Sequence, residues 1–92
     1  MIRNFKDKRT HKVFEGQPVR ELQAVFRQAE RRLRVLDAAD TLESLMMLPS
    51  NRCKSLSGDR QGQYSIRVNE QWRICFEWRE DGAHQVEIVD YH

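Results

Sequence analysis

A chain of 92 residues accommodates one domain, which we place at 1–92, and its apolar residues nowhere form a run of transmembrane length. The net charge of +2 is weak evidence for a nucleic-acid partner, so the positions of the arginines along the chain are more informative than the net charge. Cys53 and Cys75 are too few for a disulfide scaffold, and the histidines lack metal-ligand spacing, so we expect no metal and no cofactor. The first residues contain no signal-peptide core, which indicates a cytoplasmic protein.

The first half of the sequence is predicted to be mostly helical. Residues 2–5 suit a short strand and residues 6–15 a short helix, which Gly16 ends. Pro18 suits the first position of a longer helix over residues 18–38, in which apolar residues recur at helical spacing. The apolar stripe of this helix consists of Leu22, Val25, Phe26, Ala29, Leu33 and Leu36.

The opposite side of the long helix is basic. It carries Arg20, Arg27, Arg31 and Arg34. Charged stripes are commonly solvated faces, and that is one interpretation. Because few carboxylates interrupt this stripe, a second interpretation stays open, in which the arginines contact phosphates.

A third, short helix is predicted next. Asp40 suits the N-cap, and Glu43 three residues later completes a capping-box pattern. Pro49 ends the helix. We expect Met46 and Met47 to fill gaps in the core, as flexible methionines commonly do.

From residue 52 onward the period of the apolar residues changes to two, which predicts antiparallel strands. The alternating apolar positions are Tyr64, Ile66 and Val68, then Trp72, Ile74, Phe76 and Trp78, then Val86 and Ile88. Helices followed by a strand meander predict the α+β class, with the sheet packed on the long helix.

The register of the first hairpin follows from the need to keep apolar residues on one face. A three-residue loop at 69–71 places Ile66 opposite Ile74. The same register places Arg67 opposite Arg73 on the other face. Like charges directly opposite each other are destabilising, so an anion bound between them is one explanation, and two solvated side chains are the other.

The second hairpin is predicted with a loop at 80–84, which places Phe76 opposite Ile88. In that register Arg73 lies opposite Tyr91. The two arginines and Tyr91 then form a row across three strands, on the face away from the tryptophans.

Several short runs in the second half resemble HigB toxins, a branch of the RelE-like toxins of type II toxin–antitoxin systems. They are residues 56–60 (Leu-Ser-Gly-Asp-Arg), 65–69 (Ser-Ile-Arg-Val-Asn), 72–74 (Trp-Arg-Ile) and 90–92 (Asp-Tyr-His). The resemblance is specific over roughly 52–92 and looser before it. It implies a RelE-like fold, in which a compact antiparallel sheet is packed against N-terminal helices.

The resemblance also implies a function. HigB-type toxins are mRNA endoribonucleases that cleave within the ribosomal decoding site and inhibit translation. Their partner is a HigA-type antitoxin with a helix-turn-helix domain, so operator DNA is contacted only through the antitoxin. Ribosome and mRNA are therefore the other expected partners.

The resemblance carries over to particular site residues. The catalytic candidates are Arg73, Asp90, Tyr91, His92 and Lys54. Phosphate-holding candidates are Arg52, Arg60 and Arg67. Lys54 stands where some relatives have a histidine, and Ser57 stands where they have a lysine.

The expected reaction is attack of the RNA 2′-hydroxyl on the adjacent phosphorus, which needs a base, an acid and cations but in principle no metal. Arg73 and Lys54 suit the stabilisation of charge. Asp90 suits the base and His92 the acid, although the two roles are exchangeable. Tyr91 suits stacking on a base.

A second function stays open because Lys54 and Ser57 replace the histidine and the lysine that take part in the site of some relatives. The chain would then be a catalytically weak RNA- or ribosome-binding module, or mainly a co-repressor with the antitoxin. A third interpretation is an interaction subunit with no role on RNA.

Overall fold

The structure, a computed structural model, describes residues 1–90, which form a helical layer and a four-stranded antiparallel sheet. The α-helices are α1 (Lys8–Phe14), α2 (Phe26–Ala38) and α3 (Leu42–Met46), and the 3₁₀ helices span Arg20–Val25, Pro49–Asn51 and Gly58–Arg60. The strands are β1 (Lys54–Ser55), β2 (Gln63–Arg67), β3 (Trp72–Arg79) and β4 (Gly82–Asp90), in the order β1-β2-β3-β4. The α+β prediction is confirmed. No helix within residues 1–90 is long and apolar enough to cross a membrane.

The core lies between α2 and the apolar face of the sheet. Ile66, Ile74 and Ile88 come from three adjacent strands, and each is fully buried. Leu33 and Leu36 of α2 are also fully buried in this cluster. Each such side chain contributes about 1.5–3 kcal/mol when it leaves water, so this layer contact holds the sheet and helices together.

The long helix is divided in two. Val19 is the N-cap of the 3₁₀ helix Arg20–Val25, and the α-helix begins at Phe26. Pro18 therefore precedes the helix instead of opening it, and that prediction is wrong. The basic stripe does lie outside the core: its arginines are exposed, and Arg34 donates to the carbonyl of Phe14 at 2.7 Å.

Two expectations for α3 are wrong. The N-cap is Thr41, whose extended backbone lets Oγ1 accept from the N–H of Ser44 at 3.1 Å, so Asp40 lies one residue too early. Because α3 has only five residues, it turns Leu45 inward and leaves Met46 48% and Met47 79% exposed. These methionines do not fill the core.

The first hairpin has the predicted register. Ile66 pairs with Ile74, and Arg67 pairs with Arg73 on the opposite face. The N–H groups of Val68 and Asn69 both donate to the carbonyl of Trp72 and close the loop.

The second hairpin has a different register from the predicted one. Ile74, not Phe76, lies opposite Ile88, and Arg73 lies opposite Val89. The loop has two residues because β4 already begins at Gly82. An extra residue in β4 then forms a bulge opposite Phe76, where Gln85 takes a positive φ of 53°. The bulge keeps the apolar residues of β4 on the core face despite the tight turn.

The N-terminal segment runs along the outer edge of β4. Ile2 and Phe5 form parallel bridges with Ala83 and Val86. Gly82, with a φ of 130°, lies directly against this segment, because a Cβ at this position would overlap the carbonyl oxygen of Met1. The expected strand at residues 2–5 is thus present only as isolated bridges.

We predict that Gly82→Ala lowers the free energy of unfolding by about 2–4 kcal/mol, since the added Cβ meets backbone and the φ angle suits only glycine. The melting temperature should fall by about 10 °C or more. The matched control is Gly58→Ala, where φ is also positive but no atom lies within 4 Å of the new Cβ. Equal losses in the two variants would contradict the close approach of Met1.

Candidate functional site

The sheet face away from the helices carries a concavity of about 510 Å³, which we call the cationic pocket. It is lined by Arg52, Cys53, Lys54, Arg67, Asn69, Glu70 and Arg73. Four of these side chains are basic and one is acidic. The pocket therefore favours an anionic ligand.

Arg73 is the most buried cation of the pocket, with 7% of its surface exposed. Its Nε donates to Oγ of Ser65 at 2.8 Å, and its Nη2 donates to the backbone carbonyl of Arg52 at 2.7 Å. Ser65 is fully buried. Bonds from two separate segments fix the plane of the guanidinium as well as its position.

Arg52 and Lys54 reach the pocket from the segment that leads into β1. Arg52 follows the 3₁₀ helix Pro49–Asn51 in a left-handed conformation, with φ 44° and ψ 48°. Lys54 pairs with Ser65 across β1 and β2, which places it beside the anchor of Arg73. These residues are far apart in the sequence, and they become neighbours only when the strands pair.

Arg67 is half-buried and pairs directly with Arg73, as the register argument predicted. The structure thus brings together four of the predicted site residues: Arg52, Lys54, Arg67 and Arg73. The two facing arginines line the same concavity, where a bound anion would relieve their repulsion.

Arg60 does not line the cationic pocket. Its Nη2 forms an ion pair with Oε1 of Glu87 at 2.8 Å, and its Nη1 donates to Gln63 at 3.1 Å. The hydrogen bond to Glu87 raises the pKa of Arg60 above its ordinary value. Lys6 contacts the other oxygen of Glu87 at 3.4 Å. These contacts attach the Gly58–Arg60 turn to β4.

Asp90 is also outside the residues that line the pocket. It pairs with Trp72, and paired residues of antiparallel strands place their side chains on the same face. Asp90 therefore shares the face of Trp72, opposite to that of Arg73, and its Oδ2 accepts from Nε2 of Gln71 at 3.1 Å. The predicted Tyr91 and His92 lie outside the described residues. The predicted pairing of Arg73 with Tyr91 is wrong, because the register of β3 and β4 places Arg73 opposite Val89.

Sequence reasoning missed several residues of the site. Cys53, Asn69 and Glu70 line the pocket, and Ser65 holds Arg73. The sequence predicts Asn69 only as part of a loop. In the structure its Oδ1 accepts from the N–H groups of Gln71 and Trp72, a turn type for which Asn is a recognised signal. Among residues 1–90, no group of three or more His, Cys, Asp or Glu side chains is arranged to hold a metal ion.

Solved structures with a similar architecture define the class. A chain of the YoeB–YefM complex from Staphylococcus aureus superposes with a TM-score of 0.62 at 14% identity, covering 100% of this chain and 98% of that chain. YafQ from E. coli strain BL21(DE3) gives a TM-score of 0.57 at 12% identity, covering 98% of this chain and 91% of that chain. This chain therefore has the fold of these two proteins, and the family model that matches it gives the class as RelE-like toxin.

Sequence relatives identify the family within this class. The family model described as the RelE-like toxin of the type II toxin–antitoxin system HigB matches residues 3–92. Toxin HigB-1 of Vibrio cholerae serotype O1 is 35% identical over 94 residues, covering 100% of this chain and 98% of that protein. Endoribonuclease HigB of Proteus vulgaris is 31% identical over 97 residues, covering 100% of both. The chain belongs to the HigB family of RelE-like toxins, and its partner is an antitoxin.

The two thiols should react slowly at neutral pH. Burial raises the pKa of Cys53 above that of an ordinary thiol, although the nearby Arg73 opposes this, and burial also raises the pKa of Cys75. Because only the thiolate reacts, iodoacetamide should label half-buried Cys53 more slowly than free cysteine, at a rate that rises about tenfold per pH unit below the pKa. Cys75, 1% exposed, should stay unlabelled in the folded protein. Mass spectrometry of quenched samples measures both, and labelling of Cys75 as fast as that of Cys53 would contradict the burial.

Proposed function

We propose that this toxin is a ribosome-dependent mRNA endoribonuclease that inhibits translation by cutting mRNA through its own 2′-hydroxyl. The observation that carries the proposal is the orientation of Arg73, a buried guanidinium held by Ser65 and by the carbonyl of Arg52 at the edge of a cationic pocket. The name of the Proteus vulgaris relative, Endoribonuclease HigB, supports the reaction class.

Arg73 stabilises the transition state in this proposal. Attack of the 2′-hydroxyl gives a pentavalent phosphorus centre whose extra negative charge the substrate does not carry. A guanidinium that is already oriented stabilises that charge without reorganising, and one such donor is typically worth about 10²–10³-fold in rate. Lys54 adds a second cation on the same pocket.

The remaining basic side chains hold the RNA backbone. Arg52 and Arg67 line the pocket and bind the phosphates on either side of the bond that breaks. Arg60 is proposed for the same role, but its guanidinium forms an ion pair with Glu87. It therefore contributes to RNA binding indirectly, by holding the Gly58–Arg60 turn in place. Affinity for RNA should therefore fall steeply with salt concentration.

Proton transfer falls to the C-terminal residues. His92 and Asp90 are the proposed acid and base, in either order. Because the register places Asp90 on the face of Trp72, His92 is the first candidate for a proton transfer at the pocket and Asp90 the second. Tyr91 stacks on a base that is turned out of the mRNA.

The partners and place of action follow from the same proposal. The chain acts in the cytoplasm on ribosomes that carry mRNA. Its antitoxin is of the HigA type, with a helix-turn-helix domain, and contact with operator DNA is made only through that antitoxin. Membership of a type II toxin–antitoxin family supports this assignment.

A second function, a catalytically weak RNA- or ribosome-binding module or co-repressor, is favoured by one observation. The register of β4 turns Asp90 to the face opposite Arg73, so among residues 1–90 the pocket has Glu70 as its only carboxylate. Such a module would occupy the decoding site without cutting.

Toeprinting on programmed ribosomes separates the two functions. Wild type should cut the mRNA, and Arg73→Ala should cut about 10²–10³-fold more slowly because the oriented cation is lost. Arg79→Ala is the matched control, since Arg79 lies on the same strand but is exposed and pairs with Glu77. Intact but stalled mRNA with wild type would support the binding module, and full cleavage by Arg73→Ala would remove Arg73 from the reaction.

His92 provides a second test. His92→Ala should lower mRNA cleavage by about 10²–10⁴-fold, the usual contribution of a positioned acid or base. Asp90→Asn tests the second proposed proton transfer in the same way. Cleavage and thermal melting are measured side by side. If activity falls only as far as the folded fraction does, then His92 supports the fold and another group donates the proton.

A further inference from the structure

Asn51 is a fully buried polar residue that does not line the cationic pocket. Its Oδ1 accepts from Nη1 of Arg32 at 2.8 Å, and its Nδ2 donates to the carbonyl of Leu45 at 3.0 Å. Arg32 belongs to α2 and Leu45 to α3, so one side chain connects two helices to the segment that enters the sheet. Burial of an amide with both ends bonded makes this connection rigid, because a free donor or acceptor here would be costly.

The residue that follows Asn51 has an unusual backbone. Arg52 takes φ 44° and ψ 48°, a region that residues with a Cβ rarely adopt. Its N–H donates to the carbonyl of Pro49 at 3.1 Å. In this conformation its own carbonyl oxygen is directed at Nη2 of Arg73, which donates to it at 2.7 Å. Sparsely populated backbone conformations persist where surrounding contacts hold them, and they concentrate at functional sites.

We propose that Arg32 and Asn51 are positioning residues for Arg73. The bond between Arg32 and Asn51 holds the turn at Pro49–Asn51, the turn holds Arg52 in its left-handed conformation, and the carbonyl of Arg52 fixes the guanidinium of Arg73. This inference rests on the proposed function, in which Arg73 stabilises the transition state.

Loss of this support has a specific kinetic consequence. Without the donor from Arg32, Asn51 has no partner for its buried Oδ1, and Arg52 can relax to a negative φ that rotates its carbonyl away. Arg73 then keeps its bonds to Ser65 but loses the second segment that defines its plane. An interaction made mainly in the transition state lowers kcat when it weakens and leaves KM nearly unchanged.

The test is Arg32→Met, which keeps an unbranched apolar stem and removes the donor. Arg79→Met is the matched control: it removes the same kind of side chain from an exposed position of β3 that lies outside the cationic pocket, where Arg79 pairs with Glu77. Steady-state kcat and KM are measured on programmed ribosomes, together with melting temperature. Because weaker support of Arg73 acts on the transition state, kcat is the readout that separates the two variants.

Arg32→Met should lower kcat by about tenfold to 10²-fold, the range that a displacement of about 1 Å produces, while Arg79→Met leaves kcat unchanged. The same pair is then made in an Arg73→Ala background. There Arg32→Met should have no further effect on kcat, because residues that act through one another are not additive.

Three outcomes would overturn the inference or its basis. An equal loss of kcat in both backgrounds means that Arg32 affects only the folded fraction, and an unchanged kcat means that Arg73 needs no support from α2. Full cleavage by Arg73→Ala alone refutes the proposed function itself, independently of Arg32. If Arg32→Met does not fold, Arg32→Lys keeps a shorter donor, and its smaller loss of kcat must likewise disappear in the Arg73→Ala background.

Discussion

Arg73 has 7% of its surface exposed, and a buried guanidinium is stable only where its N–H groups find acceptors. Two acceptors come from different parts of the chain, Ser65 on the neighbouring strand and the carbonyl of Arg52 ahead of the sheet. The need to satisfy this one cation explains why Ser65 is buried. It also explains why a non-glycine residue stays in a left-handed conformation at position 52. The cationic pocket is built around these bonds.

Arg60, in the 3₁₀ helix Gly58–Arg60 that precedes β2, is an arginine under the opposite conditions. Arg60 is 34% exposed at its side chain and forms an ion pair with Glu87, whose carboxylate also contacts Lys6. Removing either partner of such a half-buried pair leaves the other charge in a poorly solvated place, so the pair resists change. Arg60 therefore serves the fold, whereas Arg73 is oriented towards the pocket by neutral oxygens. Arg60 and Arg73 thus differ in role because their hydrogen-bond acceptors differ.

Alternating apolar residues were enough to predict the sheet, the first hairpin and the pairing of Arg67 with Arg73, because only one register keeps that hairpin's apolar residues together. The second hairpin was not predictable in this way. Its bulge at Gln85 adds a residue without changing the polarity pattern, so two registers look alike in the sequence. The contact between Arg32 and Asn51 was also hidden: it joins residues 19 positions apart, and nothing local distinguishes Arg32 from the exposed arginines around it.

The bridges between the N-terminal segment and β4 affect how the toxin is made. The N–H of Arg3 donates to the carbonyl of Ala83, and the N–H of Lys6 donates to that of Val86, so residues 3–6 form these bonds only after residues 83–86 have been synthesised. Pairing across such a long stretch of chain is slow to form and cannot begin during most of synthesis. Arg73 and Ser65 also belong to the late part of the chain. A nascent chain therefore lacks the finished pocket until β3, which carries Arg73, has been synthesised.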